Sequence, residues 1–204
     1  MTTLVTTLAD AATPLAWQRD AAARAAYNAV LIVAGSLLVA LSAQIAVPLA
    51  PVPITMQPFA VLLVGASLGA RRGALALALY LAQGAAGLPV FAAGGCCIAR
   101  LAGPTAGYLW SYPLAAGLVG WLAERGMDRR PLTAMAAMLA GTAVIYLIAL
   151  PWLSLYVAPG RVLADGLVPF IAGDLAKVAL AGGALPGAWA VLRAVRRALG
   201  LPER

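Results

Sequence analysis

The chain has 204 residues, is 63% hydrophobic and only 10% charged, and its mean hydropathy of +0.93 lies outside the balance of a water-soluble domain. A net charge of +7 would suit a nucleic-acid partner by magnitude, but the basic residues are spaced as membrane topology spaces them, which argues against nucleic acid. The absence of histidine removes His-based metal sites, catalytic triads and proton shuttles.

The first 18 residues are rich in Thr and Ala and carry no Lys or Arg, so the positive start of a secretory signal is missing; residues 1–20 are expected to be a mobile amphiphilic tail. Six apolar stretches follow, centred near residues 35, 63, 81, 113, 145 and 181, as candidates for membrane spans, which need roughly 20 residues; spans 2 and 3 are short. They predict an all-α membrane protein, with a six-helix transmembrane bundle over residues 21–198 and a short C-terminal tail over 199–204. Arg19 and Arg24 precede span 1, Arg71 and Arg72 separate spans 2 and 3, Arg125, Arg129 and Arg130 separate spans 4 and 5, and Arg193, Arg196, Arg197 and Arg204 follow span 6. Only Arg100 and Arg161 fall on the other side, so the positive-inside rule makes both termini cytoplasmic.

Span 1 opens with Ala21, Ala25 and Ala29, small residues four apart that allow close approach of another helix and so form a candidate partner-docking face; chance spacing in an Ala-rich chain is the competing reading. The uncharged outer loop over 47–58 holds Pro48, Pro51, Pro53 and Pro58, which predicts a stiff, extended segment suited to a lid or to a plain connector. A second outer loop, from Gly87 to Arg100, is rich in glycine. Within it Cys96 and Cys97 are adjacent; a disulfide between sequence neighbours is rare, so they are read as small loop residues. Span 5 contains Pro151, and Gly182, Gly183, Pro186 and Gly187 predict a bent or broken inner half of span 6.

The lone lysine, Lys177, follows Asp174 by three residues in span 6, on one helical face and about 8 to 12 Å in from Pro169. Charges at membrane depth are expensive and are either paired or used on a substrate. A carboxylate beside an ammonium can serve a polar ligand offering both donors and an acceptor. Equally open from spacing alone are a helix cap at Asp174 and a structural ion pair or snorkelling lysine. No phosphate-cradling Walker sequence occurs, so the chain does not use ATP by itself.

Four segments, Pro51-Val-Pro-Ile-Thr-Met-Gln57, Gly65 to Tyr80 with its Gly-Ala-Arg-Arg-Gly turn, Gly87-Leu-Pro-Val-Phe91 and Gly103-Pro-Thr-Ala-Gly-Tyr-Leu109, occur together with Gly173-Asp-Leu-Ala-Lys177. In this order they resemble the BioY family of biotin uptake proteins, the substrate-binding subunits of energy-coupling-factor (ECF) vitamin transporters. The departures are Cys96, Cys97 and Arg100 in the second outer loop and Pro58 after Gln57. The resemblance implies a non-enzymatic membrane subunit of the bacterial cytoplasmic membrane. It would capture biotin in an outward-facing pocket beneath the two outer loops, without a cofactor or metal of its own. Its partners would be a membrane coupling subunit and two ATPase subunits, which alone use ATP.

In such a pocket Asp174 would accept a ureido N–H, and Lys177 or Gln57 would serve the ureido carbonyl. Lys177, Arg100 or the N–H groups opening span 6 would take the valerate carboxylate. Phe91 and Tyr108, followed by Trp110 and Tyr80, would wall the thiophane ring and methylene tail. The alternatives are a capture subunit for another small vitamin and a non-transport membrane scaffold. An intramembrane hydrolase is disfavoured because Ser36, Ser42, Ser67 and Thr142 have no His partner.

Overall fold

The computed structural model describes residues 7–12 and 20–199, and these are mostly helical. After a short turn of helix, α1 (Leu8–Ala12), come α2 (Ala21–Gln44), α3 (Gln57–Leu68), α4 (Ala70–Ala85), α5 (Cys97–Leu101), α6 (Ala106–Glu124), α7 (Pro131–Leu153), α8 (Val162–Gly166) and α9 (Val168–Ala198). Among the described residues, the helices of 12 residues or more, α2, α3, α4, α6, α7 and α9, coincide with the predicted apolar stretches. By length and hydropathy, α2, α7 and the continuous α8–α9 segment can each cross a membrane, whereas α3 is apolar but only 12 residues long.

Local chemistry sets where the helices start. Asp20 caps α2 by accepting from the Ala22 N–H at 2.9 Å. Proline in the first turn opens α3, α7 and α9, where a missing N–H costs nothing. The α3–α4 reversal takes a single residue, Gly69, at φ 88°, and the Glu124 carboxylate at the end of α6 accepts from the next N–H, that of Ala70, at 2.9 Å. Here α3, α4 and α6 pack backbone to backbone: a Cβ on Gly65 would lie 2.4 Å from the Ala116 carbonyl oxygen. Inside the bundle Leu77, Tyr80, Val119, Met138, Ile145 and Leu185 are fully buried, while Leu41, Leu114, Leu147 and Leu180 point outward, an apolar exterior that suits lipid.

At one end of the bundle lie the Arg-rich turns. Residues 7–12, expected as part of a mobile tail, are docked there instead: Asp10 pairs with Arg72 at 2.6 Å, and the Ala9 and Ala11 carbonyls accept from Tyr27 and Arg196. The polar side chain and backbone carbonyls of this turn give it specific partners that composition does not disclose. The rest of the tail expectation lies outside the described residues, as does all of the C-terminal tail beyond Leu199.

Two loop systems cover the opposite end. The first carries a small hairpin in which β1 (Ala46–Val47) pairs antiparallel with β2 (Ile54–Thr55), so the proline-rich loop folds back on itself rather than lying simply extended. The second closes with a bridge between Phe91 and Gly95 and a tight turn over Ala92–Gly94. Gln44, at the end of α2, ties the second loop down through the Gly94 N–H (2.9 Å) and the Phe91 carbonyl (3.4 Å). In the same loop Cys96 and Cys97 are disulfide-bonded, which corrects their reading as unlinked residues. In extended backbone adjacent side chains alternate, but Cys97 has φ 76°, which breaks that alternation. A break in span 6 is ruled out, because α9 stays one helix through Gly182, Gly183 and Pro186.

Candidate functional site

Beneath the two loops a cavity of about 670 Å³, counted to its open mouth, enters the bundle between α3, α6, α7 and α9. Its floor and sides are mostly apolar or aromatic, from Val52, Phe91, Leu109, Ile145 and Phe170, with Tyr108, Tyr112 and Tyr146 adding hydroxyls.

Asp174 and Lys177 are on its wall. They sit in the second and third turns of α9, and the cap position of that helix is Leu167, so Asp174 is not the cap. The Lys177 ammonium donates to Asp174 Oδ1 at 3.0 Å and to the Thr55 carbonyl at 2.9 Å. The second carboxylate oxygen, Oδ2, accepts from the Tyr146 hydroxyl at 2.5 Å. With side-chain exposures of 11% and 12%, the pair is largely buried in the cavity wall, and it retains unused acceptor positions and one unused ammonium N–H for a ligand.

A second polar chain leads away from Thr55. Its hydroxyl donates to Gln57 Oε1 at 3.1 Å, and Gln57 Nε2 donates to the Tyr80 hydroxyl at 2.6 Å. Gln57 therefore lines the cavity with one amide hydrogen to spare, whereas Tyr80 does not line it. Tyr80 is fully buried behind Gln57 and Phe91, with its ring edge-on to Phe91 at 5.5 Å, so its expected role as a wall is corrected to a support. Trp110 likewise points elsewhere, its indole N–H bound to the Leu101 carbonyl at 3.0 Å. Phe91, Tyr108 and Arg100 do reach the cavity, Arg100 from the exposed second loop. Tyr108 is fixed by its hydroxyl on the Gly166 carbonyl (2.6 Å) and by ring contacts with Tyr146 and Phe170.

Sequence reasoning missed Thr55, Tyr112, Tyr146 and Phe170 as lining residues. A signal existed for one of them: Thr142 and Tyr146 are four apart on the mostly apolar α7 and face the same cavity. Ala21, Ala25 and Ala29 lie away from it, exposed along the start of α2. Among the described residues no cluster of acidic, cysteine or histidine side chains could hold a metal ion.

An apolar helical bundle with a cavity of apolar and aromatic walls beneath two loops, and a charge pair on its wall, defines a small-molecule-binding membrane protein. The comparisons place it further: the BioY family model matches residues 12–194, and the chain belongs to the BioY family. It is 40% identical over 144 residues to the probable biotin transporter BioY of Pyrococcus horikoshii, covering 71% of this chain and 85% of that one. Against the biotin transporter BioY of Thermotoga maritima it is 41% identical over 156 residues, covering 74% and 90%. The crystal structure of the S-component for biotin from an ECF-type ABC transporter shares the fold at a TM-score of 0.72 and 22% identity, covering 85% of this chain and 93% of the other.

Proposed function

We propose that the chain captures biotin from outside the cell as the substrate-binding subunit of an ECF-type transporter and delivers it across the cytoplasmic membrane with a transmembrane coupling subunit and ATPase subunits. The observation that carries this reading is the Asp174–Lys177 pair on the wall of a lidded aromatic cavity, in a chain of the BioY family. Biotin has an uncharged bicyclic ring with two N–H donors and one carbonyl, and a short apolar tail ending in a carboxylate. Asp174 accepts a ureido N–H, the free N–H of Lys177 or of the Gln57 amide serves the ureido oxygen, and Phe91, Tyr108 and Phe170 enclose the rings. Arg100, at the mouth, is placed to meet the valerate carboxylate where water still reaches it. The six-helix bundle spans the membrane with both termini in the cytoplasm and the loop-covered end outside, and the exposed Ala21, Ala25 and Ala29 face receives the coupling subunit. No step requires a cofactor or metal held by this chain.

The reading is tested by uptake of labelled biotin into cells that lack their own biotin importer and express this chain with its coupling and ATPase subunits. Accumulation that unlabelled biotin suppresses is expected. Uptake no greater than in vector controls, with the chain present in the membrane, would overturn it.

A further inference from the structure

We infer that Tyr146 is a positioning residue for the ligand site, acting through Asp174 by holding one carboxylate oxygen so that the charge pair presents a fixed acceptor edge to the cavity. This rests on the reading of Asp174 and Lys177 as ligand contacts. The two donors that meet Asp174 come from different elements and go to different oxygens: Tyr146, on α7, to Oδ2 and Lys177, on α9 itself, to Oδ1. Held at one oxygen only, a carboxylate can turn about its Cβ–Cγ bond, which is a broad torsion with no strong staggered preference. Held at both, its plane is set.

The arrangement also determines what Lys177 can do. While Tyr146 occupies Oδ2, the ammonium bonds only Oδ1 and has its other hydrogens for the Thr55 carbonyl and for a ligand. Without the tyrosine hydroxyl, the carboxylate is free to turn and offer both oxygens to Lys177, which withdraws acceptor and donor from the ligand together. Tyr146 is itself located by packing: its ring stands edge-on to Tyr108 at 6.3 Å, and the Tyr108 hydroxyl is anchored on the Gly166 carbonyl. The hydroxyl position is thus built in before a ligand arrives, which is the condition for preorganisation. Because Tyr146 lies on α7, it also makes the geometry of an α9 carboxylate depend on the α7–α9 packing.

Tyr146→Phe removes the hydroxyl and keeps the ring. Its predicted effect is about tenfold weaker equilibrium binding of biotin, the lower end of what one hydrogen bond to a charged group is worth, with the melting temperature of the ligand-free protein little changed. In an Asp174→Asn background the same change should cost less than about twofold, since non-additivity marks residues that act as a unit. A direct contact between Tyr146 and the ligand would cost the same in both backgrounds, and that result would overturn positioning. A second readout needs no ligand: the carboxylate stretching bands of Asp174, isolated as the infrared difference between the parent and Asp174→Asn, should shift in Tyr146→Phe. Unshifted bands, or parental biotin affinity in Tyr146→Phe while Asp174→Asn is weakened, would sink this inference alone. Parental affinity in Asp174→Asn would instead remove the site assignment on which it rests.

Discussion

Lys177→Met is the most informative substitution in the molecule, because the ammonium joins the cavity wall on α9 to the first outer loop at Thr55. The methionine keeps an unbranched apolar stem but removes three hydrogen-bond donors, leaving Asp174 with Tyr146 as its remaining side-chain donor and the Thr55 carbonyl without its lysine. A ligand deprived of one charge-assisted hydrogen bond loses about 1.5 to 3 kcal/mol, which corresponds to a Kd raised by about 10- to 150-fold. Stability falls as well, because an isolated carboxylate remains in a site only 11% exposed, and breaking a buried pair at one partner costs at most about 3 to 5 kcal/mol. Asp174→Asn combined with Lys177→Met should therefore recover part of the lost melting temperature while binding no better than the single variant. Isothermal or radioligand titration with biotin, alongside melting curves in detergent, measures both quantities. A Lys177→Met protein that binds within twofold of the parent would refute the argument. So would a double variant whose stability loss equals the sum of the two single losses.

Three other perturbations probe separate parts of the account. Burial raises the Asp128 carboxyl above its ordinary value, against the opposing hydrogen bond from the Trp189 indole at 2.5 Å, and its Oδ1 has no hydrogen-bond partner. A carboxyl whose folded pKa is raised stabilises the fold while protonated, and that stability is lost as pH rises from the unfolded value through the folded one. Asp128→Asn should therefore gain in melting temperature relative to the parent as pH rises through that window, and a difference independent of pH would contradict the assignment. Gly84→Ala would put a Cβ within 2.0 Å of the Phe91 ring, forcing that ring out of its place in the cavity wall; overpacking of this kind costs about 1 to 3 kcal/mol, and biotin affinity should fall with it, as the same titration would show. Replacing Ala25 and Ala29 together by Leu should reduce recovery of the coupling subunit on affinity purification and leave biotin binding intact, and unchanged recovery would remove the docking role of this face.

Much of the architecture was legible because it rests on local signals. Apolar stretches located the long helices, and the three-residue spacing of Asp174 and Lys177 put both charges on one face of α9. Depth within the bundle was not legible. Tyr80 and Phe91 are both aromatic residues in family-like segments, yet Phe91 reaches the cavity while Tyr80 stands one layer behind it, a difference set by how α4 packs rather than by its own sequence. The same limit hid Tyr146 and Thr55, whose roles arise from contacts across 28 and 122 residues of chain. The docked turn Leu8–Ala12 and the linked pair Cys96 and Cys97 depend on partner groups and on a left-handed residue, Cys97, and neither follows from composition.

The central claim is that biotin is the ligand and that the charge pair on α9 holds it. Equilibrium binding of labelled biotin to the purified chain in detergent, with unlabelled biotin, thiamine and riboflavin as competitors, tests this most directly. Saturable binding displaced by biotin alone is predicted. Well-folded protein that binds none of the three, or that gives up labelled biotin equally to all of them, would contradict it.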